Sequence, residues 1–351
     1  MRVWLWRLVL IGGVALYGAG AFACSFHYTK PERTAVDWLV GGDHVVLARP
    51  DPENPFAFAV IETLRGTETV EAPPFLVDSV TRRKMAANRS DAVLFARDAE
   101  GAWIRAAYVS SVFRPVIAVA LSNASEWSLS YTKDRFAVFE DLQDHPDPAL
   151  RQLALQEIDK APYALLRGMD LRLSGEDLVR QIWTRDGYTY QSIRVLLLGI
   201  DGSPVARKEV HDFIDRVADW DWANNLGAFA TALVELDGAD GVDKLDRVFL
   251  SDPRQPADKL EQVVEALAIH NGLTDDKVQA QIAKALQRLA ETRADGAELI
   301  ARQFLTRNDW TQARLLETVL EDRKQTTPMG LISVAVYVAQ ARAAGALTNG
   351  G

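Results

Sequence analysis

The amino-acid sequence predicts an α+β protein with the two kinds of structure in separate domains, a small N-terminal β-barrel followed by an all-α solenoid. Three observations predict it. From about residue 27 to 121 apolar residues recur with period two and are broken by turn residues. From about residue 134 to 344 the period becomes 3.6, with cap residues at the helix starts. The helical stretches are joined by short connectors such as Asp201-Gly202-Ser203-Pro204, as stacked helix pairs require. A length of 351 residues suits two domains of about 150 residues. With 48% hydrophobic and 25% charged residues the composition is that of a globular chain.

The first 23 residues read as an export signal. Arg2 and Arg7 form a positive n-region, residues 8–16 an apolar stretch, and Ala21-Phe22-Ala23 the small-residue end that a signal peptidase requires. An uncleaved anchor is the other reading, since residues 8–26 just suffice to span a bilayer. Cleavage leaves Cys24, the only cysteine, as residue one. Gly20-Ala21-Phe22-Ala23-Cys24 resembles a permissive bacterial lipobox, which implies lipidation of Cys24 and membrane contact through it. Ordinary processing would instead leave a free or intermolecularly paired thiol. A single cysteine excludes a disulfide framework within the chain.

Taken in order, residues 34–40 read as a short helix and 43–49 as the first strand. Pro50-Asp51-Pro52-Glu53-Asn54-Pro55 breaks the chain before a long strand over 56–64, ended by Arg65-Gly66. Further strands are predicted over 75–80, 92–97, 102–108 and 115–121, with Asp98-Ala99-Glu100-Gly101 as a hairpin turn. Five or six short strands fit a small barrel or sandwich.

This stretch resembles the netrin-like, or TIMP-like, family of secreted OB-type barrels over residues 24–121. The resemblance is carried by the processed Cys24, the helix ending in Trp38-Leu39, and Gly42-Asp43-His44-Val45-Val46-Leu47-Ala48-Arg49. It continues through Phe58-Ala59-Val60-Ile61-Glu62-Thr63-Leu64-Arg65-Gly66 and Asp91-Ala92-Val93-Leu94-Phe95-Ala96. It implies an OB-like fold. The family's paired cysteines are missing here, Phe26 standing where the second would be, so its inhibitory wedge is not implied.

Residues 122–134 read as a polar linker, 135–345 as the helical domain and 346–351 as a disordered tail. Asp147-Pro148 opens a helix with an N-cap and a proline at its first position. Asp275-Asp276 opens another. The two resemble the first half of a HEAT-type repeat, with Gln279 where the pattern has arginine. An irregular helical bundle is the alternative. Other helices are predicted over 175–184, 192–200, 204–218, 224–236, 240–250, 256–270, 297–306, 310–320 and 328–344. In the second of these, Ile193, Leu196, Leu197 and Ile200 form one buried stripe. Arg194 lies off it and is expected to reach solvent or a neighbouring acid, so Leu197→Ala should cost more than Arg194→Ala.

Motifs for chemistry are sparse. Five scattered histidines have no metal-ligand spacing. Gly199-Ile200-Asp201-Gly202-Ser203 lacks the nucleophile-elbow order, and Asp237-Gly238-Ala239-Asp240-Gly241-Val242-Asp243 fails the calcium-loop pattern. No catalytic residue, metal or cofactor is expected. The net charge is −9, and loss of residues 1–23 makes the body two charges more acidic, which argues against nucleic acid as a partner. The unusual feature is aromatic. Trp220-Asp221-Trp222 joins two helices and Tyr188-Thr189-Tyr190 precedes another. Trp220, Trp222, Tyr188 and Tyr190 are the candidate partner contacts, since rigid aromatic side chains dominate binding hot spots. Packing at helix turns is the alternative for them. The sequence predicts an exported, non-enzymatic interaction protein of the bacterial envelope, periplasmic or secreted, that uses its helical surface to bind a protein. An envelope hydrolase or small-ligand protein with a site in the interdomain groove is the other reading.

Overall fold

Residue by residue, the computed structural model describes 33–67, 71–185, 187–322 and 327–347. The segment read as an export signal and Cys24 therefore lie outside the described residues. Helix α1 (Ala35–Gly41) begins with a capping box: the Thr34 hydroxyl accepts from the Asp37 amide and the Asp37 carboxylate accepts from the Thr34 amide. Strands β1 (His44–Pro50), β2 (Phe58–Arg65), β3 (Ala92–Arg97) and β4 (Trp103–Val109) follow the predicted segments closely. They form one antiparallel sheet in the order β2-β1-β3-β4. At the end of β2 the φ of Gly66 is +94°, and a Cβ there would meet the His44 imidazole at 2.1 Å, so this turn needs glycine.

Two predicted strands do not join the sheet, which is four-stranded and open. Residues 75–80 contribute only an isolated bridge between Leu76 and Ala57. The Asp78 carboxylate then accepts from the Val80 and Thr81 amides and starts helix α2 (Ser79–Ala87). Residues 115–121 lie in helix α3 (Arg114–Ser122). Its proline sits in the first turn, where no N–H is needed, and Val116, Ile117 and Ala120 share the buried face. The segments that would have closed a barrel thus leave the sheet open, with β2 and β4 as edges. Both faces are nonetheless covered. Val46, Ala48, Val93 and Phe95 pack with Met85 of α2. Val45, Leu47, Ala92 and Leu94 share a cluster with α1, α3 and the helices beyond. Two-sided burial explains why β1 and β3 read as continuous apolar runs.

The segment 122–134, read as a linker, contains helix α4 (Ala124–Trp127) and the start of α5 (Lys133–Glu140). Then come α6 (Pro148–Ile158), α7 (Tyr163–Leu166), α8 (Gly175–Ile182), α9 (Gln191–Asp201), α10 (Pro204–Val217) and α11 (Leu226–Asp237). Helix α12 (Ala239–Leu245) runs on into a π-helical turn, Asp246–Leu250. The last are α13 (Ala257–Asn271), α14 (Asp276–Thr292), α15 (Gly296–Thr306), α16 (Ala313–Asp322) and α17 (Pro328–Ala343). Asp147 and Asp275 cap α6 and α14 as their positions predict. From α8 onward the helices form hairpins. Helix α9 packs on α11, α11 on α13, α13 on α15 and α15 on α17, while α8 packs on α10 and α12 on α14. The approach of α9 to α11 is set by Gly199, where a Cβ would lie 2.8 Å from the Ala232 Cα. Of the segment read as a disordered tail, Ala346 and Leu347 are described, and Leu347 is buried. Among the described residues no helix is long and apolar enough to cross a membrane.

The stripe expected in α9 is present, but Arg194 does not reach solvent or an acid. It is 6% exposed and donates to Gln181 Oε1 at 3.2 Å and to the carbonyls of Gly187 at 3.0 Å and Tyr190 at 3.3 Å. Burial holds its guanidinium below the ordinary arginine value. Residues 187–190 form a tight 3-10 turn ahead of α9, in which the Gly187 carbonyl already accepts from the Tyr190 amide at 3.3 Å, and the guanidinium adds a second, charged donor to it. Arg194→Met, which keeps the apolar stem and removes the donors, is therefore expected to cost about 1–3 kcal/mol through unsatisfied buried groups. Denaturant unfolding followed by circular dichroism checks this, and a change within about 0.5 kcal/mol, the ordinary surface value, would return Arg194 to the surface.

Candidate partner-binding surface

The exposed aromatic residues of α8–α11 lie where four helices begin or end. Trp183 follows the last residue of α8, Tyr188 stands in the turn before α9, and Trp220 and Trp222 occupy the loop from α10 to α11. Their side chains are exposed by 51%, 51%, 48% and 61% respectively. Tyr190, the fourth residue singled out by sequence, is 6% exposed and belongs to the core, which removes it as a partner contact. Trp183 takes its place. Its signal in the sequence is a tryptophan one position beyond the buried Leu178–Ile182 pair of an amphipathic helix.

Trp183 and Tyr188 are held by neighbouring side chains. Phe213 and Phe229 stack with centroids 3.6 Å apart, and Trp183 stacks on both at 6.1 and 6.2 Å. Its indole N–H donates to Glu209 Oε1 at 2.9 Å, and the Arg216 guanidinium lies 5.5 Å from its centroid. The Tyr188 hydroxyl accepts from Asn224 Nδ2 at 2.8 Å, tying the two loops together.

The loop bearing Trp220 and Trp222 is fastened by a buried lysine. Lys259 of α13 has no exposed surface and donates to the carbonyls of Val217 at 2.8 Å, Ala218 at 3.3 Å and Trp220 at 2.8 Å. It thereby satisfies the carbonyl end of α10, where a cation is favoured. Burial pulls this ammonium below the usual lysine value, against the charges of Asp258, Asp219, Asp221 and Asp252. Gln255 Nε2 adds a bond to the Ala218 carbonyl at 2.8 Å, and Gln262 Nε2 one to the Ala223 carbonyl at 3.3 Å. Asn225, in the left-handed conformation at φ 59°, accepts from the Ser192 hydroxyl at 2.7 Å. The backbone is thus fixed while Asp219, Trp220, Asp221 and Trp222 all face solvent.

Two polar clusters elsewhere have the makings of chemistry and are committed to structure. At the contact between α1 and α6, the Thr34 hydroxyl donates to Glu157 and accepts from Lys160 Nζ at 3.0 Å. Lys160 also bonds Asp37 at 2.7 Å and Glu157 at 2.6 Å, and Arg135 bonds Glu157 at 2.7 Å. Burial works to raise the Asp37 carboxyl, but Lys160, the Thr34 amide and Arg135 together outweigh it and hold the group below the usual range. Every donor and acceptor of the Thr34 hydroxyl is engaged, so it is a tie between the sheet part and the helices, not a nucleophile. The second cluster centres on His211, whose Nε2 lies 2.7 Å from Asp237 and whose Nδ1 lies 3.1 Å from Lys244 Nζ. Lysine has only protons to give, so Nδ1 is the acceptor and the ring is neutral. Burial and then Lys244 hold it below the ordinary histidine value.

Two open grooves flank other elements. One of about 440 Å³ lies between α14 and α16, lined by Gln287, Glu291, Arg314 and Thr318. The other, of about 490 Å³, runs along the outer side of β2. Among the described residues no group of three or more His, Cys, Asp or Glu side chains is placed to hold a metal ion. Comparison of the chain with protein-family models, with curated proteins and with solved structures finds no match in any of the three.

Proposed function

We propose that this chain is an exported, non-enzymatic interaction protein of the bacterial envelope that binds a protein partner through the ends of its helical hairpins. The observation that carries the reading is the rim of Trp183, Tyr188, Trp220 and Trp222, half-exposed rings on a fixed backbone. Large rigid aromatics lose little conformational freedom on binding, and such residues supply most of the energy of protein interfaces. In this reading the hairpins form a HEAT-like solenoid, supported by the row of α9, α11, α13, α15 and α17. The netrin-like resemblance of residues 24–121 is supported by the α1–β1 lead and the antiparallel sheet, with the sheet open where an OB-type barrel is closed. Export is supported by Arg2, Arg7 and the Ala21-Phe22-Ala23 end.

Affinity purification from the native envelope, followed by mass spectrometry, tests the reading in one preparation. Intact mass of the bait is expected to show a chain beginning at Cys24, with a lipid increment if that residue is modified. A partner recovered with the wild type is expected to be lost with Trp220→Ala/Trp222→Ala. Hot-spot truncations cost about 2 kcal/mol or more each, roughly 30-fold in affinity. Equal recovery of every partner with both baits would overturn the assignment of the rim.

A further inference from the structure

We infer that the rim recognises a basic segment, a stretch of its partner carrying several Lys or Arg side chains seated against Trp220 and Trp222 between the carboxylates of Asp219 and Asp221. This rests on the reading of the rim as a partner site and names the chemistry that site takes. The first observation is how the chain treats its other tryptophans. Arg33 lies 3.8 Å from the Trp38 centroid, Arg97 4.8 Å from Trp103, Arg135 5.5 Å from Trp127 and Arg216 5.5 Å from Trp183. Trp310 packs against Tyr337. Among the described residues neither Trp220 nor Trp222 has a ring or cation partner, although both are about half exposed.

The second observation is charge. Asp219, Asp221, Asp252 and Asp258 all act on the Lys259 ammonium, but that ammonium is buried and spent on three backbone carbonyls. Asp252 is paired with Arg254 at 2.9 Å. Among the described residues Asp219 and Asp221 belong to no ion pair, and both are exposed. The loop therefore presents acid and aromatic side chains in alternation, Asp-Trp-Asp-Trp, on a chain of net charge −9. A guanidinium or ammonium is attracted both by an indole face and by a carboxylate beside it. An acidic segment would be repelled. One exposed cation–π contact or one surface ion pair is worth only a few-fold in affinity. Several cations on one segment are needed to hold it, and the fixed backbone of the loop spares the cost of ordering it.

The test uses the full mature chain and synthetic twelve-residue peptides in which Lys and Arg alternate with Gly and Ser. A second peptide has Gln at every basic position, and a neutral soluble polysaccharide serves as a third probe. Binding is read by tryptophan fluorescence and calorimetry at low and at raised salt. The basic peptide is expected to bind at least about tenfold tighter than its Gln counterpart and to weaken with salt. Asp219→Asn/Asp221→Asn and Trp220→Ala/Trp222→Ala should each weaken it by about fivefold or more. A distant control, Asp276→Asn/Glu321→Gln, should leave it unchanged. Equal binding of the two peptides, no binding of the basic one, or Asn variants no weaker than the distant control would overturn the inference. So would tryptophan-dependent, salt-insensitive binding of the polysaccharide. If an envelope partner depends on Trp220 and Trp222 but not on Asp219 and Asp221, the basic segment is wrong and the partner site stands. If no partner depends on the tryptophans, the site itself is wrong.

Discussion

Replacing Glu157 by alanine is expected to destabilise the protein by about 3–5 kcal/mol, because it leaves the Arg135 charge buried without its partner. Glu157 has no exposed surface, and Arg135 is almost as deeply buried. One Glu157 oxygen accepts from Arg135 at 2.7 Å, the other from Lys160 at 2.6 Å and from the Thr34 hydroxyl. After the substitution Arg135 keeps the Trp127 carbonyl at 3.0 Å and the faces of Trp127 and Tyr131, but its nearest carboxylate is Asp37 at 3.8 Å. Thr34 also loses its bond across to α6, which loosens α1 and with it the cover over one face of the sheet. The double variant Glu157→Leu/Arg135→Met removes both charges and should recover much of the loss, since an apolar pair of similar volume often matches a buried ion pair. Guanidinium unfolding of the three proteins measures this. A single variant within about 1 kcal/mol of wild type would mean that water reaches the cluster.

Acidification is expected to remove about 3 kcal/mol of stability through His270 alone. Its ring is fully buried, Nε2 lies 2.9 Å from the Thr231 carbonyl, and the Tyr163 ring packs edge-on at 5.3 Å. The Nε2–H bond to that carbonyl makes Nδ1 the bare nitrogen, and among the described residues nothing donates to it. Glu235 stands 3.9 Å from Nδ1, while Arg167, bonded to Glu235 at 2.9 Å, opposes a positive ring. Burial lowers the His270 value to about 4, Glu235 and the Thr231 bond pulling the other way. Because the folded value lies below the unfolded one of about 6.5, the unfolded chain binds more protons between the two. The contribution is complete above about pH 6.5 and is lost progressively as the pH falls to about 4. His270→Gln keeps a donor for Thr231 and has no proton to gain. Its unfolding free energy, measured from pH 7 to 4, should fall less steeply than that of the wild type. Identical slopes would show that His270 does not titrate in this window.

Most helices were legible because their signals are local. Asp147-Pro148, Ser203-Pro204, Asp275 and Thr327-Pro328 each place a side-chain acceptor and a permitted proline or charge at a helix start, within a few residues of one another. The strands β1 to β4 were legible for the same reason. Residues 75–80 and 115–121 were not. Both have strand composition, and what decides them is contact with distant elements: α2 covers one face of the sheet and α3 packs on α1 over the other. Intrinsic preference is weak against burial of that kind.

The site divides in the same way. The Asp-Trp-Asp-Trp alternation, the neighbouring Tyr-Thr-Tyr and the acidic balance are properties of the sequence itself. Which rings face outward is not. Tyr190 and Tyr188 are two residues apart in a tight turn, and only the packing of α9 sends one into the core and leaves the other in solvent. Arg194 looked like a surface charge because it lies off the apolar stripe, yet the carbonyls of the preceding turn draw it inward. Lys259 fastens the tryptophan loop from about forty positions away, and Thr34 meets Glu157 across 123. Sequence alone determined most of the elements and the chemistry available on the chain, since period, caps and charge act over a few residues. The closing of polar groups upon one another across the fold was decided by tertiary structure, because a buried donor or acceptor is satisfied by whatever the packing brings within 3 Å, regardless of its place in the chain.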